Sequence, residues 1–327
     1  MKNNISLSKL TIIISTLPER KKYLIRILSF LKNYDCKVLV IGPIQEFKKK
    51  KNDRKINFIF YNKKKRAIHK WLALDKFIKT KYILNLADDD FVLPSYLYKA
   101  INFLETRPTF CAVESFALRF GEDKKKLNFD EYFLSHHQNL INRKYNRIDL
   151  FHGNLIRNVF RKKDYYKTLK IMVLKMNTHP QWDDYLFHFV AVTLNDKIHY
   201  FPEFGHLRSE NLRTINIKRY NEKVKSKINI LKDKKNIDYL CKIFSLKNKI
   251  SRDKSYIKIY TLLKKIDAPI FKRSKADIIL SIVTEKLFFF KINSFFILRN
   301  FFKFPINNAS KIKEIIQILK YCKKYMK

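Results

Sequence analysis

Two groups of acidic side chains stand out by type and spacing: Asp88-Asp89-Asp90 and, later in the chain, Asp183-Asp184. Ahead of the first group, Tyr82, Ile83, Leu84 and Leu86 read as a buried strand, and Pro94 sits where a following helix would begin. The carboxylates thus lie just past the carboxyl end of a strand, the edge at which open α/β sheets bind ligands. Adjacent anions repel one another unless a cation is present. Oxygen-only ligands suit magnesium or manganese, and those ions suit a phosphate-bearing substrate. The plainer alternative is an acidic loop that caps the next helix. For Asp183 and Asp184, which open a helix carrying Leu186, Phe189, Val190 and Leu194, the plain alternative is complementarity to the helix dipole.

The elements that must position these acids alternate regularly. Leu10–Ile14 reads as a strand, and Thr16 followed by Glu19 fits a capping box ahead of a helix with Leu24, Ile27, Leu28 and Leu31 on one face. Lys37–Ile41, stopped by Gly42-Pro43, and Ile56–Tyr61 are further strands. Ile68, Trp71, Leu72 and Ile78 mark a helix, as do Leu97, Ala100, Ile101 and Leu104 after Pro94, and Phe110–Phe116 is again a strand. This alternation predicts an α/β fold, a doubly wound and mostly parallel sheet with helices on both faces. Residues 121–148 are polar and read as a long loop or insertion, a place where binding segments are often found. A helix is expected from about Asp164 to Leu174 and a strand at Ile198–Phe201, with Phe204-Gly205-His206-Leu207-Arg208-Ser209-Glu210-Asn211 as a loop after it.

From about residue 216 the texture changes to lysine-rich helical segments punctuated by Pro269 and Pro305. Two regions are therefore expected, 1–215 and a basic helical C-terminal region 216–327. In the last segment Ile312, Ile315, Ile316 and Leu319 share one face amid lysines. Such a helix either lies on an anionic membrane surface or docks onto the protein as an ordinary C-terminal helix.

The net charge is +41, and a surface this basic attracts polyanions: nucleic acid, anionic lipid or nucleotide phosphates. The 15% aromatic content keeps a non-catalytic nucleic-acid-binding protein as the alternative reading. Against it, the basic residues spread along the whole chain with no helix-turn-helix, zinc or single-strand-binding signature, so no specific nucleic acid is expected. A nucleotidyltransferase would need a Gly-rich phosphate loop near the N-terminus, and the first hundred residues hold only Gly42. Cys36, Cys111, Cys241 and Cys322 form no metal or redox motif and suggest free thiols in a reducing compartment. No stretch reaches the roughly 18 apolar residues of a spanning helix. A cytoplasmic chain, peripheral on the inner membrane face if it touches a membrane, is the expectation.

Four stretches in order resemble the GT-A fold glycosyltransferases that use nucleotide sugars, in particular the family 2-like group of bacteria. They are Ile12-Ile13-Ile14-Ser15-Thr16-Leu17-Pro18-Glu19-Arg20, Asp88-Asp89-Asp90-Phe91-Val92-Leu93-Pro94, Gly153 through Phe160-Arg161, and Trp182-Asp183-Asp184. The resemblance covers roughly residues 9–215. Ala87 stands where the family often writes an acid, and Asp183 replaces the Glu of its Glu-Asp pair. The metal work accordingly falls either to Asp88 with Asp90 or to Asp89 with Asp90.

The resemblance implies an inverting, metal-dependent transfer from a nucleotide-sugar donor to a glycan or lipid-linked acceptor. Asp184, with Asp183 beside it, would be the base, and Asp183 would raise the pair's proton affinity. Asp90, Asp88 and His206 would meet Mn2+ or Mg2+. Thr16, Glu19, Arg20, Arg66, Lys70, Asp88, Asp89 and Arg208 would bind the nucleotide sugar, and Gly153 and Trp182 would line the acceptor side. Arg66 and Lys70 read equally as solvated surface charge, and His206 equally as a plain loop residue.

Overall fold

A computed structural model describes residues 6–43, 55–61, 66–123, 126–130, 155–178, 183–194, 198–210, 233–267 and parts of 313–322. Gly153, Trp182, His136, His137 and residues 211–232 fall outside the described residues.

Nine described strands form one sheet: β1 (Leu10–Ser15), β2 (Lys37–Gly42), β3 (Ile56–Phe60), β4 (Tyr82–Ala87), β5 (Phe91–Val92), β6 (Ala112–Asp123), β7 (Lys126–Asp130), β8 (Val159–Arg161) and β9 (Ile198–Glu210). The helices are α1 (Lys21–Leu31), α2 (Ala67–Ala73), α3 (Pro94–Thr106), α4 (Lys162–Lys175), α5 (Asp183–Leu194), α6 (Lys234–Asn248) and α7 (Arg252–Asp267). The sheet order is β3-β2-β1-β4-β8-β6-β9-β5, with β7 paired to β6.

β1, β2, β3 and β4 are mutually parallel, and β6 and β9 are parallel to each other. Because β8 is antiparallel to both β4 and β6, the two parallel sets run the same way. β5 and β7 run against their neighbours. The expected mostly parallel sheet is present, with a mixed half that the alternation of elements did not disclose.

The core follows from the period of two along a strand. Leu10, Ile12 and Ile14 of β1, Val38 and Val40 of β2, and Tyr82, Leu84 and Leu86 of β4 pack on one face with α1 and α3. Ile13, Leu39, Ile41 and Ile83 point the other way and pack with α2, α4, α5 and α6. Both faces are covered, which is why these strands are mostly apolar, with buried Thr11 and Asn85 hydrogen-bonded to Thr80 and Tyr165. Each such buried side chain stabilises the fold by about 1.5–3 kcal/mol.

The region beyond residue 216 joins both layers. Ile237, Leu240, Cys241 and Ile259 belong to the second. Ile315, Ile318 and Cys322 belong to the first, and Glu314 accepts a hydrogen bond from Ser95 Oγ at 2.9 Å. Of the expected terminal stripe, Ile315 is buried in this layer, while Ile312, Ile316 and Leu319 lie outside the described residues. No described helix is long and apolar enough to cross a membrane.

Three local expectations need correction. Thr16 does not cap α1, because Pro18–Arg20 forms a 3-10 turn first and no side-chain cap is made at Arg20. Within 121–148, expected as a loop or a small insertion, residues 121–123 and 126–130 belong to the paired strands β6 and β7, which excludes the loop there. Residues 204–210 continue β9, held by β6 on one side and, at His206 and Leu207, by β5 on the other.

Candidate active site

β1 and β4 leave the sheet at the same level, since Ser15 is in register with Ala87. Thr16 therefore lies beside Asp88. Its N–H also extends the ladder to β2, donating to the Ile41 carbonyl at 3.0 Å. That approach explains Gly42: a Cβ there would fall 2.5 Å from the Thr16 carbonyl oxygen.

The Asp88–Asp90 turn closes by a hydrogen bond from Asp90 N–H to the Ala87 carbonyl at 3.3 Å. It does not cap α3, whose N-cap is Leu93 with no side-chain cap bond. Thr16 Oγ1 donates to Asp88 Oδ2 at 2.7 Å. Arg20 donates through Nε to Asp88 Oδ1 at 2.7 Å, and its Nη2 lies 2.6 Å from both Asp88 Oδ1 and Asp89 Oδ2. Burial alone lowers the Arg20 pKa, but hydrogen bonding and charge from Asp88 and Asp89 more than reverse this, so the net shift is upward.

Buried Arg26 on α1 sets its guanidinium 5.2 Å from the Tyr23 ring centroid and 5.1 Å from that of Phe91. From there it donates to the Asp89 carbonyl at 3.3 Å.

Asp90 is treated differently. It is buried, and Oδ1 accepts the Ser209 N–H at 2.9 Å, while Oδ2 is 3.8 Å from Arg157 Nη1. Burial, then the charge of Asp89, pushes its carboxyl up to about 6 despite the opposing charges of Arg157 and Arg208 and the Ser209 bond.

Behind the acids lies a buried polar wall. Asn158 Oδ1 accepts from Tyr96 OH at 2.9 Å and from Ser115 N–H at 3.2 Å, and lies 3.0 Å from His206 Nε2. The Ser115 N–H makes this atom an acceptor, while the single Tyr96 proton is shared with the Val113 carbonyl at 2.8 Å, so His206 carries a proton on Nε2. That nitrogen is thereby engaged by Asn158, and the expectation of His206 as a metal ligand loses it. The Tyr96 ring stands edge-on to His206 at 5.1 Å. Gly205 permits this packing: a Cβ would fall 2.0 Å from Ser115 Oγ and 2.7 Å from Tyr96 Cγ.

The second acid pair joins the same edge through α2. Arg66, at the N-cap of α2, places Nη2 3.2 and 3.3 Å from the two oxygens of buried Asp183, the first residue of α5. Trp71, one turn along α2, donates through Nε1 to Ser15 Oγ at 2.8 Å. A continuous set of contacts thus runs from Asp183 through Arg66, α2, Trp71 and Ser15 to Thr16 and Asp88. Half-buried Asp184 follows Asp183 on the helix. The Arg66 guanidinium lies against the Asp183 charge.

Thr16, Arg20, Asp88, Asp89 and Asp90 are therefore brought together, with Arg208 close enough to influence Asp90. Arg66 is held on Asp183. Lys70 is half-buried on α2 with its pKa lowered by burial, and Glu19 is exposed on the 3-10 turn. Gly153 and Trp182 lie outside the described residues. Sequence reasoning missed the site roles of Arg26, Trp71, Arg157, Asn158 and Ser209. Only Arg157 carried a signal, as a basic residue inside the stretch that starts at Gly153.

The described residues contain no group of three or more His, Cys, Asp or Glu that could hold a metal by themselves. Among those residues, however, Asp89 Oδ1 accepts no hydrogen bond and Asp90 Oδ2 has only the long Arg157 contact. These are hard oxygen donors on adjacent residues. They fit a divalent cation that takes its remaining ligands from a bound phosphate and water. Asp88 fits less well, since Thr16 and Arg20 occupy both its oxygens.

No protein-family model matches this chain, and no curated protein does. Among solved structures it is similar to S. aureus TarS, at 11% identity and a TM-score of 0.43, over 75% of this chain and 44% of that one. It is similar to the 1-349 portion of S. aureus TarS at 12% identity and a TM-score of 0.43, over 76% of this chain and 74% of that one. This chain thus spans less than half of the longer TarS chain. No residue role is taken from a likeness of that extent.

Proposed function

We propose that the chain is a glycosyltransferase that uses a divalent cation and a nucleotide-sugar donor and inverts the transferred sugar. The observation that supports the reading is an acid turn at the end of β4 linked through Ser15, Trp71 and Arg66 to a second acid pair at the start of α5, the first suited to a cation and phosphate and the second to a proton. Asp89 and Asp90 would hold the cation, which when bound neutralises the charge that develops on a departing diphosphate.

The protein's own residues do the rest. Arg20 and Thr16 fix Asp88, and Arg26 fixes the Asp89 backbone, so the turn is organised before any ligand arrives. Arg157 and Arg208 add positive charge beside Asp90, on the side where phosphate oxygens would lie. Asp184 accepts the proton of the acceptor hydroxyl on the sugar face opposite the leaving group, and a single displacement inverts the anomeric centre. A glycan or lipid-linked hydroxyl is the proposed acceptor. The region 216–327 is proposed to complete the fold, since it contributes to both core layers.

The direct test incubates the protein with manganese and a panel of nucleotide sugars. Nucleoside diphosphate release, and thermal stabilisation by the matching nucleotide only when manganese is present, are the expected results. Stabilisation by no nucleotide under either condition contradicts the reading.

A further inference from the structure

Arg66 is placed to do something other than bind the donor. It sits at the N-cap of α2 in extended backbone and makes no side-chain cap bond. Its side chain instead reaches sideways, and a single nitrogen, Nη2, meets both oxygens of Asp183. Asp183 is 4% exposed. A carboxylate that deep in the protein needs compensation, and losing its cation would favour rearrangement of the turn that carries it. That turn is the first of α5, and the next residue is Asp184. Arg66 is itself anchored: α2 is tied by Trp71 to Ser15, at the end of β1 beside Thr16.

We propose that Arg66 is a positioning residue: by holding Asp183 it sets the first turn of α5, and with it the direction of Asp184, relative to the Asp88–Asp90 turn. The inference rests on the glycosyltransferase reading and on Asp184 as its base. It assigns Arg66 to the proton-transfer side of the site, where the sequence had placed it with the donor phosphates.

A base displaced by about 1 Å loses on the order of 100-fold in rate, while donor affinity is set elsewhere. Arg66→Ala is therefore expected to lower kcat by about 10- to 100-fold with the donor KM within about twofold of wild type. Arg66→Lys can place one nitrogen against both Asp183 oxygens and is expected to recover most of that loss. Asp183→Asn should resemble Arg66→Ala, and the double variant should be no worse than either single, because each breaks the same contact. Circular dichroism and thermal melts establish that each variant is folded; Arg66→Lys and Asp183→Asn retain hydrogen-bonding groups and serve if Arg66→Ala does not fold.

A raised donor KM with kcat intact, effects that multiply in the double variant, or no recovery in Arg66→Lys would overturn the inference and leave the function standing. A wild-type chain that releases no nucleoside diphosphate from any donor removes the function and this inference together.

Discussion

The two acid groups are linked through Arg66, Trp71 and Ser15 but are stabilised by opposite means. Asp183 is buried and compensated, with Arg66 lying across both its oxygens. Asp90 is equally buried, yet receives one backbone N–H and a guanidinium no closer than 3.8 Å, and its carboxyl is pushed up to about 6. The first arrangement fixes a helix start. The second leaves a buried carboxylate with little direct compensation, the feature on which the proposed cation site rests. Between them, Asp88 and Asp89 share Arg20, so only part of the Asp88–Asp90 turn is left for a ligand.

The comparison breaks most visibly at Asp184. Asp184→Asn is expected to reduce transfer by about 100- to 10,000-fold while leaving donor binding unchanged. Steady-state kinetics beside nucleotide titration separates the two quantities, and unchanged transfer would remove Asp184 as the base.

Isosteric neutralisation of the two buried acids should then move stability in opposite directions. In the folded chain the Asp90 carboxyl holds its proton more tightly than the ordinary value of 3.8 allows in the unfolded chain. Asp90 thus favours the folded state fully below that value, and the advantage is lost as pH rises through about 6. At pH 7 without metal the charged group opposes folding. Asp90→Asn, which keeps an acceptor for Ser209 N–H, is expected to stabilise the metal-free protein by about 1–3 kcal/mol, and the gain should shrink as pH falls through about 6 towards 3.8. Asp183→Asn removes the charge that Arg66 answers and should cost about 1–3 kcal/mol. Denaturant melts at pH 7 and pH 5 check both signs; two shifts of the same sign would erase the contrast.

A smaller effect is expected where backbones meet. Gly42→Ala must push the β2 end away from the Thr16 carbonyl, costing about 1–3 kcal/mol and loosening the turn that Thr16 helps to hold. Thr16→Val removes the hydrogen bond to Asp88 and should cost about 1 kcal/mol in a thermal melt.

How much of this was legible depended on where the information lay in the chain. β1, β2 and β4 are buried on both faces and so are written as apolar runs, and Pro94 marks the start of α3 as expected. The acids announced themselves by type. Their partners did not: Arg20 meets Asp88 across 68 residues, and Arg66 meets Asp183 across 117. Nothing local to Arg66 distinguishes a guanidinium that crosses to another helix from one in solvent. The first part of β9 was expected at Ile198–Phe201, but its continuation was hidden because residues 204–210 mix polar side chains and a glycine that read as a loop; their strand conformation comes from pairing with β6 and β5, which is tertiary. Asn158 gave no signal because its role is to receive three donors from distant strands and helices.

The central claim is that Asp90 is the carboxylate reserved for a cation that binds donor phosphate. Calorimetric titration of nucleoside diphosphate into wild type, Asp90→Asn and Asp184→Asn, each with and without manganese, tests it most directly. The expected result is manganese-dependent binding in wild type, kept in Asp184→Asn and weakened by about 10- to 100-fold or more in Asp90→Asn. Equal affinity in all three proteins, or binding indifferent to manganese, would contradict it.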